Sequence, residues 1–338
     1  MLMMLKDALR ERLRRSPAWV TLRGAQREGW RKAFGRRRLW TSILDTRPVE
    51  TDEVTEGSPV EVHLLCYWRD DLPAVWALKS FYHFARVRYP LVIHVQGRAP
   101  RRVFERLRKH FPAARVVSQV EADASVESWL KERGLTRLVE ARRASPFMLK
   151  LTDFPLTSSA VNLLTLDSDL VFFRRPSELL VAGREPLSSS LFQRDPASAY
   201  NIGEARAEEE LGVRLAPRVN TGVALYARRS LDLARCEEYL AHADVARPTG
   251  FIEQTLHALC ASAQDRVAFL PETYLVSLGK DVDLSPLVMR HYAGPSRPLL
   301  TEEGMRELVR AGFLKELRKS GRQFSDRRPL IEDVEDGL

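Results

Sequence analysis

Short apolar runs and amphipathic stretches alternate along the chain from about residue 60. VEVHLLCY, Val60 to Tyr67, predicts a strand. Pro73 to Ala85, with Leu78, Phe81 and Phe84 on one face, predicts a helix, and LVIHVQ, Leu91 to Gln96, a second strand. Arg101 to Phe111 then reads as a helix, Ala114 to Ser118 as a strand and Ser125 to Leu138 as a more polar helical stretch. Such alternation implies an α/β protein whose mostly parallel sheet is flanked by helices on both faces. Sheets of this kind bind ligands beyond the carboxyl ends of their strands. The first such end here is Tyr67-Trp68-Arg69-Asp70-Asp71.

Outside this region the pattern changes. Leu2, Leu5, Leu9 and Leu13 recur at helical spacing beside a basic face, and Thr51 to Pro59 is a polar stretch that reads as a linker. The expected organisation is a basic amphipathic extension and linker over residues 1–56, an α/β domain over 57–317 and a charged tail over 318–338. With 338 residues, 44% of them apolar, the chain is long enough to bury a substantial core.

Charge and cysteine content narrow the classes. The net charge is +8, but residues 1–40 hold twelve Lys or Arg against three acids, a net +9, so the remainder carries −1. Basicity confined to an extension disfavours nucleic acid as a partner. It leaves two readings: a helix lying on an anionic membrane surface, or one packed on the body with a solvated basic face. No run reaches the roughly 20 apolar residues of a membrane-spanning helix, and the first residues lack the order of a secretory signal. Cys66, Cys236 and Cys260 show neither a disulfide-framework nor a zinc-site spacing. A cytoplasmic protein is expected, peripheral on the inner face of the membrane under the first reading of the extension.

The candidate chemistry centres on VNLLTLDSDLVFF, residues 161–173, an apolar strand running into Asp167-Ser168-Asp169. Two carboxylates two residues apart on extended backbone point to one side and can share a divalent cation, whose other ligands are commonly diphosphate oxygens. Burying such acids without a partner would cost several kcal/mol, so either a cation or a salt bridge to Arg174 or Arg175 must compensate. A second pair, Asp281-Val282-Asp283, lies among turn residues with no apolar strand leading in, and reads as a coincidence of composition.

This segment resembles the Asp-x-Asp region of retaining GT-A glycosyltransferases of the glycogenin and bacterial lipopolysaccharide galactosyltransferase type, and further segments follow in that family's order. Lys150 in SPFMLKLTDFPL is similar to the family's basic donor-contacting residue on the helix before the acidic strand. Val219-Asn220-Thr221-Gly222-Val223 resembles its Asn-Ser/Ala-Gly turn, whose Asn contacts the donor sugar. Glu253-Gln254 resembles its Asp-Gln pair, in which the acid binds the sugar and the amide lies near the reacting carbon. His291-Tyr292-Ala293-Gly294-Pro295-Ser296-Arg297-Pro298 resembles its His-x-x-Gly-x-x-Lys-Pro, which supplies a third metal ligand and a cation for the leaving diphosphate.

The resemblance implies a GT-A, Rossmann-like fold and a metal held by Asp167, Asp169 and His291. It implies donor contacts from Lys150, Asp167, Ser168, Asn220, Gly222, Gly294 and Arg297, with Glu253 and Gln254 at the reacting centre; Tyr67, at the end of the first predicted strand, is placed either to stack on the donor's base or to serve as packing. Mn²⁺ or Mg²⁺ and a UDP-sugar donor follow, with a glycan, lipid-linked or protein acceptor. Arg297 departs from the family's Lys and Glu253 from its commoner Asp; a guanidinium fork still clamps diphosphate. Two alternatives use the same residues: a haloacid-dehalogenase-like phosphatase with Asp167 as nucleophile and Asp169 as acid, and a non-catalytic nucleotide-sugar-binding module.

Overall fold

A computed structural model describes residues 29–319; the amphipathic helix expected over residues 2–13 and the tail after residue 319 lie outside them. The described chain opens with helix α1 (Trp30–Thr41) and a 3₁₀ turn (Ser42–Asp45). Strand β1 (Val60–Tyr67), α2 (Asp71–Ala85), β2 (Leu91–Gln96), α3 (Arg101–His110) and β3 (Arg115–Ser118) follow. The two strands bounded by turn residues thus fall where their apolar runs place them. The polar helical stretch is two helices, α4 (Gln119–Glu132) and α5 (Thr136–Ala144), because Gly134 between them takes φ 71. Ser118 opens α4 with a capping box: its hydroxyl accepts from the Glu121 amide, and the Glu121 carboxylate returns the bond to the Ser118 amide.

Helix α6 (Met148–Thr157) leads into β4 (Asn162–Leu166) and β5 (Leu170–Phe172), then β6 (Ser190–Arg194), α7 (Glu204–Leu211), β7 (Val219–Ala227), α8 (Leu233–Tyr239) and α9 (Ile252–Ser262). Strands β8 (Val267–Phe269), β9 (Tyr274–Val276) and β10 (Met289–His291) complete the sheets. The short helix α10 (Arg297–Leu299) continues through a π-helical segment (Leu300–Met305) into α11 (Arg306–Arg310), and α12 (Phe313–Arg318) ends the described chain.

Seven strands form one sheet in the order β3-β2-β1-β4-β7-β6-β8, and β5-β10-β9 form a smaller one. In the large sheet β7 alone runs antiparallel to its neighbours β4 and β6, so the expected mostly parallel α/β sheet flanked by helices is present. Side chains alternate between its faces: Leu164, Leu166, Val223 and Leu225 enter one core, and Leu163, Ala224 and Tyr226 the other. Some polar positions sit inside because they pair. Arg142 of α5 grips Asp153 of α6 with two bonds of 2.8 Å.

The stretch read as a linker is bonded to the body: Asp52 N–H donates to Arg88 O (2.7 Å) and Gly57 N–H to Ser159 O (3.2 Å), and just before it Val49 N–H donates to His110 O (2.8 Å). Helix α1 is seated too. Trp40 Nε1 donates to Thr301 Oγ1 in the π-helical segment (2.6 Å), and Trp76 Nε1 of α2 donates to the Trp40 carbonyl (3.1 Å).

Candidate active site

Asp167, Ser168 and Asp169 form the turn between β4, the apolar strand of the central sheet, and β5, the first strand of the small one. The turn is fixed at both ends: Asp167 N–H donates to Gly222 O of β7 (2.8 Å), and Tyr292 N–H, just after β10, donates to Asp169 O (2.8 Å). Those bonds bring His291 over the aspartates. Its Nε2 lies 3.2 Å from Asp169 Oδ1 and 3.7 Å from Asp167 Oδ2. One ligand atom from each of Asp167, Asp169 and His291 fits within 4.8 Å of the others, the set anticipated from sequence.

Four charged groups surround this cluster. Arg297 Nε stands 3.1 Å from Asp169 Oδ2, while its Nη2 donates to Asp70 Oδ2 (3.0 Å) beyond the end of β1. Lys150 Nζ, from α6, donates to Asp167 Oδ1 (3.1 Å) and to Thr221 O (3.2 Å) and lies 3.5 Å from Glu253 Oε2. Compensation for the half-buried acids thus comes from Lys150, His291 and Arg297. Arg174, a candidate for that role, instead donates to the Ser285 carbonyl.

The electrostatics follow from burial and these contacts. Burial pushes the Asp169 carboxyl up, but the His291 bond and charge, with Arg297, outweigh it and hold it below the ordinary range. Burial pushes the His291 imidazole down, but Asp169 and then Asp167 outweigh it and hold it up. Lys150 is likewise opposed by burial and raised by Asp167 and Glu253. Glu253 is 2% exposed; burial pushes it to about 7, with Lys150 working against that rise.

Asn220 and Gly222, expected in a turn, lie within β7, whose residues are all buried, and neither has a positive φ. Gly222 is needed for space. A Cβ there would lie 2.2 Å from His291 Cε1 and 2.4 Å from its Nδ1. Asn220 Oδ1 accepts from Gly222 N–H (2.9 Å), stiffening the approach. Gly222→Ala is therefore expected to displace the imidazole and lower stability by about 1–3 kcal/mol through overpacking. Thermal melts measure the loss, and unchanged stability would count against the close packing of Gly222 on His291.

The first turn of α9 places Glu253 and Gln254 beside one another but gives them different partners. Glu253 Oε2 accepts from Thr221 Oγ1 (2.9 Å), behind Lys150. Gln254 Nε2 donates to Ala199 O (2.9 Å) and reaches Asp195 Oδ2 (3.4 Å), which also accepts from Asn220 Nδ2 (3.0 Å). Asp195, just after β6, is a site residue that sequence reading missed. Burial holds its carboxyl above the ordinary range, and the Asn220 and Gln254 amides only partly offset that rise. It belongs to no motif, and its one sequence signal is an acid just past a strand end. His257, also missed, stands one helical turn from Glu253 (3.3 Å) and is pushed down to about 3 by burial, then by the Lys150 charge.

Tyr67 closes β1 with 38% of its surface exposed and packs on Trp68 at a ring-centroid distance of 5.7 Å; no bond joins it to the acidic cluster. Ser168 is buried between the two aspartates, and Gly294 opens the turn leading from β10 to Arg297. The second acidic pair behaves as expected of a turn, since Asp283 accepts from the Ser285 amide and hydroxyl (both 2.9 Å).

No protein-family model matches the sequence, and no curated protein matches it. Among solved structures, the chain is similar to the bifunctional glycosyltransferase WbbM in its apo form (TM-score 0.48, 13% identity, covering 80% of this chain and 53% of WbbM). It therefore spans about half the length of that protein. It is also similar to the galactosyltransferase LgtC solved with donor and acceptor sugar analogues (TM-score 0.49, 12% identity, 78% of this chain and 98% of LgtC). A third is mouse xyloside xylosyltransferase 1 in its apo form (TM-score 0.45, 16% identity, 74% of this chain and 99% of that one).

Proposed function

We propose that the protein is a metal-dependent glycosyltransferase that moves a sugar, with retention at the anomeric carbon, from a nucleotide sugar to a glycan, lipid-linked or protein acceptor. A UDP-sugar is the favoured donor. The observation that carries this reading is the convergence of Asp167, Asp169 and His291 with Arg297 at the carboxyl end of β4, where open α/β sheets bind their ligands. The donor set fits a divalent ion: two carboxylates and one imidazole, with His291 held in a cradle that the missing Gly222 side chain creates. Oxygen ligands with one nitrogen suit Mn²⁺ somewhat better than Mg²⁺. When bound there, the ion would supply Lewis-acid neutralisation of diphosphate charge.

The chain's own groups divide the remaining work. Arg297 presents a guanidinium fork able to turn from Asp169 and Asp70 to diphosphate oxygens and to stabilise charge on the leaving group. Asp195 and the Ala199 carbonyl orient the Gln254 amide, the group proposed beside the reacting carbon. Glu253, enclosed by Thr221, Lys150 and His257, acts by fixing Lys150 against Asp167. The acceptor hydroxyl oxygen bonds to the anomeric carbon as that carbon's bond to the diphosphate oxygen breaks, and the hydroxyl proton goes to the departing phosphate on the same face of the sugar, consistent with retention.

The test is calorimetry of UDP with and without Mn²⁺, followed by UDP release from a panel of UDP-sugars. Mn²⁺-dependent binding and release are expected. Hydrolysis of an aryl phosphate with no release from any nucleotide sugar would overturn the proposal in favour of a phosphatase. Binding without release would favour a non-catalytic module.

A further inference from the structure

The fold joins the two ends of the described chain into one surface. Arg47 N–H donates to Leu317 O (3.2 Å) and Arg318 Nη2 to Ser42 O (3.3 Å), so α12 lies beside the segment that follows α1. Residues 30–47 and 313–319 together hold nine Lys or Arg and two acids, Asp45 and Glu316. Glu316 is engaged by His83 Nε2 at 3.2 Å. Exposed cations lie on each of the adjoining elements: Arg37 and Arg38 on α1, Arg47 after it, and Lys315, Arg318 and Lys319 at α12. Charge that is spread through the sequence becomes local only in the fold.

Helix α1 is held so that one face is committed. Ala33 is buried, and Trp40 is bonded to Thr301. Phe34, 55% exposed, and Arg38 lie one helical turn apart on the outward side. An exposed aromatic ring flanked by cations suits the boundary between lipid headgroups and acyl chains. Nucleic acid would be served by the charge alone. The sequence ahead of α1 extends the same chemistry, with Leu2, Leu5, Leu9 and Leu13 among arginines.

We propose that this composite basic face, built by α1, the following segment and α12, docks the protein on an anionic lipid bilayer. It adds about 1 kcal/mol of attraction per cation near such a surface, or roughly fivefold in affinity. The inference does not depend on the glycosyl-transfer reading.

The experiment uses the full chain and co-sedimentation with vesicles of phosphatidylcholine alone or with one-third phosphatidylglycerol. Binding to the anionic vesicles only, weakening as salt rises, is expected. Lys315→Glu/Lys319→Glu changes two exposed side chains at the far end of the sequence from residues 1–28. It should weaken binding at least about tenfold, with Lys315→Gln/Lys319→Gln intermediate. Thermal transitions should match the unsubstituted protein, showing that the fold is intact. Wild-type affinity in the Glu variant would overturn the composite surface, because binding would then belong elsewhere in the chain. Equal binding to neutral vesicles, no binding at all, or displacement by duplex DNA in preference to lipid would each overturn it as well.

Discussion

Asp169→Asn is expected to lower metal-dependent release of UDP from a UDP-sugar by at least about 10³-fold in kcat/KM, roughly 4 kcal/mol of transition-state stabilisation. The size follows from what the carboxylate touches. Its Oδ1 lies 3.2 Å from His291 and its Oδ2 3.1 Å from Arg297, so one substitution disturbs the ion site and the proposed diphosphate clamp together. The same change makes stability depend differently on pH. The native carboxyl is held below its ordinary value, so it contributes stability above its unfolded pKa that is lost as pH falls through the native one. The gap in thermal stability between wild type and variant should therefore be widest near neutrality and close in acid. Asp283→Asn is the internal control. That acid caps its own turn at Ser285, and wild-type UDP release is expected of it. Undiminished turnover in Asp169→Asn would remove Asp169 from the mechanism.

The parts legible in sequence were those whose physics is local. Strands β1 and β2 announced themselves as apolar runs between turn residues, and Asp167 and Asp169 as acids at the end of a buried strand, an arrangement that demands a partner. His291 and Arg297 were legible only through the family resemblance of the segment that carries them, and the fold sets both on Asp169. What stayed hidden depends on contacts between distant elements. Gly222 read as a turn glycine, whereas its role is to make room for a ring on another strand, a steric fact with no local signature. Asp195 has meaning only once β6, β7 and α9 bring Asn220 and Gln254 to it. Glu253 read as a donor-sugar ligand by resemblance; its partners, Thr221 and Lys150, come from two other elements. The basic face was visible as an N-terminal property, but its α12 half was not, because the chain ends meet only in three dimensions.

Lys150→Met should be the most destabilising single change at the site, because it removes the cation from between two carboxylates. Lys150 is 3% exposed and bonded to Asp167 and Thr221, with Glu253 at 3.5 Å. Breaking a buried pair by removing one partner costs about 3–5 kcal/mol, since the other charge stays behind uncompensated. Glu253 determines how that cost varies with pH. Its native value is already raised to about 7, so the folded state binds its proton more tightly than the unfolded state, and stability declines as pH rises from about 4.5 to 7. Without the Lys150 charge the value must rise further. The decline should then extend above pH 7, making the variant disproportionately unstable at pH 8 and nearer wild type at pH 5. Adding Glu253→Gln removes the stranded charge while an amide oxygen can still accept from Thr221. The double variant should regain most of the lost stability at pH 8 and lose the steep pH dependence. Its UDP release should stay low if Lys150 orders Asp167 for the ion, and full recovery of turnover along with stability would show that Lys150 serves only to balance charge. Thermal melts from pH 5 to 8 on the two single variants and the double variant, with UDP release at each pH, separate these outcomes.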